Sequence, residues 1–137
     1  MEPAINMSAR SLQYYVIGKH WASDLEFFRI ETAFLHRLLD NYLTGPLDKI
    51  NVTQLSTTGI KLYQLERYEA RVSQMLNTQL RQLELTADDI PENTVVLAAT
   101  QMRLENLVTT VMFEFQSIKK AILEIIEKSI ENNKAVA

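Results

Sequence analysis

Cysteine is absent from this 137-residue chain. Disulfides, thiolate metal sites and cysteine nucleophiles are excluded with it. Glycine and proline occur three times each. That is too few for the many turns of a β-rich fold, and too few for a glycine-rich phosphate loop. His20 and His36 are the only histidines, so a site built from several imidazoles is excluded as well. No run approaches the ~18 consecutive apolar residues of a membrane-spanning helix. Charge of one sign is lacking too: 14 Lys and Arg mix with 17 Asp and Glu, for a net charge of -3. No basic block exists to attract nucleic acid. Met1 to Lys19 show no basic start followed by an apolar run, so no signal peptide is expected and the expected location is cytoplasmic.

What the chain does have is a long heptad stripe. Leu97, Gln101, Leu104, Val108, Val111, Phe115, Ile118, Ile122 and Ile125 are spaced four and three residues apart in alternation, and only Gln101 is polar. No Pro or Gly lies between Glu92 and Ala137. The pattern predicts a helix of roughly 40 residues, on the order of 60 Å long. Such a helix cannot bury its stripe alone, so the chain must be a helical bundle with coiled-coil-like packing.

Two further helices are expected, which makes the fold all-α: an antiparallel bundle over about 23–44, 52–85 and 92–132. Ser23 followed by Glu26 matches the capping box, in which hydroxyl and carboxylate each satisfy a free amide at the helix start. The first helix then carries Leu25, Phe28, Leu35, Leu39 and Tyr42 on one seam, widened by Phe27, Phe34 and Leu38. Gly45-Pro46 ends it. The second helix has the stripe Leu55, Thr58, Leu62, Leu65, Glu69, Val72, Leu76, Gln79 and Leu83. Thr86 to Pro91 forms the next loop, with Pro91 suited to a first helical turn. The chain is expected to be one domain, 1–137. Residues 1–21 form an N-terminal arm or short helix, because the β-prone run Gln13 to Ile17 has no second strand to pair with.

Helix lengths then suggest where function lies. A first helix beginning at Ser23 covers only half of the longer pair. Val72 to Leu83 and Val95 to Val108 are left with Met75, Leu80, Ala98, Ala99, Met102 and Leu107 off the seam. Two covers are open: the N-terminal segment folding back, or a second chain, with a symmetric homodimer the default. The expected function is therefore non-enzymatic helix-face packing, in self-association or with a helical protein partner. The contact residues are Met75, Leu80, Ala98, Met102 and Leu107, with Trp21 as a possible interface anchor. No cofactor, metal, nucleic acid or membrane is expected.

Two other chemistries involve His36. A metal or small-ligand bundle would use His36 with Glu31, Glu66, Glu69 or Glu105, yet no Glu-x-x-His pair is present. Those carboxylates read more simply as partners of Arg29, Arg67, Arg71 and Arg103. A histidine phosphotransfer-like module would use His36 beside Arg37, and requires His36 to be solvent-exposed. Polar seam residues Thr58, Glu69, Gln79 and Gln101, with Glu105 and Gln116 beside the seam, stand out. Gln79 and Gln101 are expected to be partly wet, where the first helix does not reach. Glu69 is the strongest candidate for a specific basic partner.

Overall fold

The computed structural model describes the backbone of residues 8–43, 49–85 and 91–136, and side chains within 8–43, 51–85 and 95–131. It is an all-α bundle of three helices, α1 (Ala9–Leu43), α2 (Lys49–Leu85) and α3 (Pro91–Val136). No strand occurs among the described residues. Gly45, Pro46 and the loop residues Thr86 to Ile90 lie outside them. Pro91 is the first residue of α3, where its missing N–H has no intrahelical partner to lose. At its far end α3 continues past Asn132 to Val136.

The first helix differs most from expectation. It begins at Ala9, so 9–22 are helix and not an arm, and Ser23 is an exposed residue inside it. The cap is Ser8, whose hydroxyl accepts the Ser11 amide at 3.1 Å while its carbonyl accepts Leu12 N–H at 2.9 Å. That is an ordinary N-cap without the carboxylate half of the box. The heptad seam also continues backwards from Leu25 through Trp21, Gly18, Tyr14 and Ser11. Two of these positions, Ser11 and Gly18, are buried but small, and so they do not register as apolar stripe.

The chain divides into two compact units, and each takes one stretch of every helix. The first unit holds α1 up to Phe27 and Glu69–Thr110. Its buried apolar residues are Leu25, Val72, Leu76, Leu80, Leu83, Leu97, Leu104 and Val108. Tyr15 bonds Glu84 and Gly18 lies on Leu80. Numbers fall along α2 as they rise along α1, so the two are antiparallel. Gln101 reaches Tyr14 and Gln79 reaches Leu97, which completes an up-down-up trio.

The second unit holds Phe28–Tyr68 and the chain from Val111 onward. Its core is built on Phe28, Leu35, Leu39, Leu55, Leu62, Leu65, Val111, Phe115, Ile118, Ile122 and Ile126. Phe28 meets Phe115 edge to face, with ring centroids 5.0 Å apart at 78°. Each fully buried side chain of this size contributes roughly 1.5–3 kcal/mol relative to exposure. Ile126 is buried where the stripe predicted Ile125, which is half-buried. A straight α-helix drifts by about 20° per heptad against a strict 3.5-residue repeat, so over a long helix the buried position moves on by one. Phe27 and Phe34, assigned above to the core face, point outward and are exposed.

Candidate functional site

The residues expected to need a cover lie in the first unit, and α1 itself packs there. A Cβ added at Gly18 would stand 2.8 Å from Leu80 Cδ2 and 3.5 Å from Leu76 Cδ1. The two helices therefore approach closely at this point because Gly18 has no side chain. Leu80 is accordingly buried, at 8% exposure, and belongs to no outward face. Met75, Ala98, Leu107 and Trp21 are half-buried, Ala99 is exposed, and Met102 is exposed at 70%.

The same approach dries the polar layer. Gln79 and Gln101 are buried. Gln79 Nε2 donates to the Leu97 carbonyl at 2.9 Å and to Gln101 Oε1 at 3.2 Å, and Gln101 Nε2 donates to the Tyr14 carbonyl at 3.3 Å. The expectation of a wet seam is corrected: the first helix reaches this level and its backbone accepts one of the amide bonds. A buried side-chain amide must find such partners, because an unpaired one costs ~1–3 kcal/mol. No buried side-chain polar atom among the described residues lacks a partner. Glu69 is also buried and is partnered. Nearer the surface, Tyr15 Oη donates to Glu84 Oε1 at 3.0 Å. That bond, with some burial and the carboxylate's charge, holds the phenol above its ordinary value of 10.0.

His36 lies in the second unit. Its Nε2 meets Glu66 Oε1, and its ring stacks on Tyr63 with centroids 4.3 Å apart. The imidazole is half-buried, not presented to solvent as a phosphoacceptor would be. Of the other candidate carboxylates, Glu31 binds Lys119 Nζ at 2.8 Å and Glu105 is exposed. No group of three or more His, Asp or Glu suited to a metal ion occurs among the described residues. A shallow depression of about 280 Å³ lies along α3, between Gln116 and Glu127. All its lining residues come from that one helix, so no second element closes over a ligand there.

The feature that sequence reasoning missed is on the outside of α1. Phe27, Ile30 and Phe34 are 58%, 62% and 52% exposed. Their spacing of three and four residues sets them on one face, opposite the seam of Leu25, Phe28, Thr32 and Leu35. Phe27 and Phe34 do not widen the inner stripe. The signal was available: they fall two positions past the seam residues Leu25 and Thr32, on the far side of the helix, and Ile30 falls between them. An aromatic side chain buries ~150–250 Å² when fully covered, so these three expose on the order of 300 Å² of apolar surface.

No protein-family model matches this chain, and no curated protein or solved structure does either.

Proposed function

We propose that this chain is a non-enzymatic helical bundle that acts by packing a helix face against another protein, with Phe27, Ile30 and Phe34 as the contact. The observation that carries this reading is the exposure of all three on one outward face of α1. Isolated exposed apolar side chains are ordinary, but a contiguous patch of about 300 Å² reaches the size of the largest patch on a typical monomer, which is often functional. The flanks of the face favour protein over other surfaces. Asp24, Glu26 and Arg37 mix both signs there, whereas a nucleic-acid or anionic-lipid surface asks for a basic flank. Among the described residues no helix is long and apolar enough to cross a membrane. Met102, 70% exposed on α3, is a secondary contact in this reading.

Photo-cross-linking in cells expressing the chain tests it. A photoreactive phenylalanine analogue replaces Phe34 in one version and the exposed polar Gln64 of α2 in another. Protein adducts at position 34 and none at position 64 are expected. No adduct at position 34, or equal adducts at both, refutes the reading.

A further inference from the structure

We infer that the occupant of the α1 face is a second copy of the same chain, seated antiparallel across α1; this rests on the interaction reading above. The first ground is the spacing. Phe27 and Phe34 lie three residues before and four residues after Ile30 on one continuous helix. Turning that helix end for end, about an axis through Ile30, lays Phe27 of each copy on Phe34 of the other and brings the two Ile30 side chains together. A patch that matches itself under a two-fold rotation is what an isologous contact requires.

Charge supplies the second ground, and it selects the direction. At about 100° per residue, Glu26 and Arg37 fall within about 20° of each other around α1, on one flank of the apolar strip and at opposite ends of it. Asp24 falls on the other flank. Glu26, Arg37 and Asp24 are all exposed and take no part in an ion pair among the described residues. An antiparallel two-fold keeps each flank facing its own counterpart with the ends exchanged, so Glu26 of each copy meets Arg37 of the other. A parallel two-fold crosses the flanks at equal height and sets Glu26 against Asp24 of the second copy. Opposite charges are thus paired twice in one arrangement and acids are opposed twice in the other, and such flanking pairs set orientation in helix–helix contacts.

Area sets the strength. Roughly 300 Å² of apolar surface per copy is well below the ~800 Å² per partner of a standard stable interface. The dimer is small and reversible, and it forms as concentration rises through the micromolar range.

Sedimentation velocity on the untagged chain, from low to high micromolar concentration, reads the mass. The result expected is a concentration-dependent dimer, weakened at least about thirtyfold by Phe34→Glu, the loss that defines an interface hot spot. Arg37→Glu and Glu26→Lys each weaken the dimer alone. An equimolar mixture of these two variants recovers it, because each cross-chain pair is then of opposite sign. All three positions are outward, and helical content by circular dichroism confirms that the variants fold. A chain monomeric at every concentration, a dimer indifferent to Phe34→Glu, or a mixture that stays monomeric overturns the inference. If the purified chain is monomeric while position 34 still cross-links to a different protein in cells, the dimer falls and the interaction reading stands. If position 34 cross-links to nothing, both fall.

Discussion

Replacing the two helical glycines of known surroundings by alanine separates intrinsic helix propensity from packing. In each case alanine gains about 0.8–1 kcal/mol of helix propensity. At Gly59 the new Cβ would meet Leu39 Cδ1 at 3.6 Å, an ordinary carbon–carbon contact. Gly59→Ala should therefore stabilise the protein by about 1 kcal/mol. At Gly18 the same atom would lie 2.8 Å from Leu80 Cδ2, inside the ~3.5 Å at which carbons begin to repel. Leu80 is buried and its tip must retreat within a packed layer. Overpacking of this kind costs roughly 1–3 kcal/mol, so Gly18→Ala should be neutral to about 2 kcal/mol destabilising after the propensity gain. Urea denaturation reads both through the midpoint at constant slope. Trimming the obstructing side chain adds a check. On a Leu80→Ala background Gly18→Ala should recover its full propensity gain, a coupling that a double-mutant cycle measures directly. Equal stabilisation by Gly18→Ala and Gly59→Ala in the wild-type background would refute the close approach of α1 and α2 at Leu80.

Adjacent phenylalanines provide a second contrast: Phe28→Ala should cost about 3–5 kcal/mol for its buried, ring-packed site, and Phe27→Ala within about 0.5 kcal/mol in the monomer, as thermal or urea unfolding will show. Gln101→Leu strands an amide hydrogen of Gln79 and should cost about 1–3 kcal/mol, while Gln79→Leu together with Gln101→Leu should cost less than the two single changes summed. The Tyr15 phenol is a neutral acid whose folded pKa lies above its ordinary 10.0, chiefly through its hydrogen bond to Glu84. Its contribution is therefore fully present below that value and lost as pH rises through the raised folded one. The stability difference between wild type and Tyr15→Phe should accordingly shrink in strongly alkaline buffer, and a difference constant with pH would contradict this.

Much of the seam was legible because burial on one face of a helix leaves a repeat in the chain itself. From Leu97 to Ile122 every stripe position is buried, and so is every stripe position of α2 except the half-buried Thr58. The start of α1 was hidden by its own packing. Ser11 and Gly18 hold seam positions with little or no side chain, so the repeat fades in the stretch that includes the close approach to Leu80. The match of Ser23 and Glu26 to a capping box then supplied a false start, since the same residues serve equally well on an exposed helix interior.

The outward face of α1 was misread for a related reason. Hydrophobicity along a helix says that a phenylalanine has a face, and only the neighbouring helices say which face is covered. Phe27 and Phe28 are consecutive, yet one is 58% exposed and the other 1%. The His36, Glu66 and Tyr63 cluster and the Gln79 and Gln101 layer likewise unite residues far apart in the chain, whose side-chain types alone name no partner.

Periodicity and composition by themselves determined that this protein is an all-α bundle of long helices, because a 3.5-residue apolar repeat has no other way to leave water. Tertiary structure alone decided that α1 begins at Ala9, that Gly18 seats it against Leu80, and that Phe27, Ile30 and Phe34 face outward. These depend on the distance between helices, which is set by side chains distant in the sequence and leaves no local repeat.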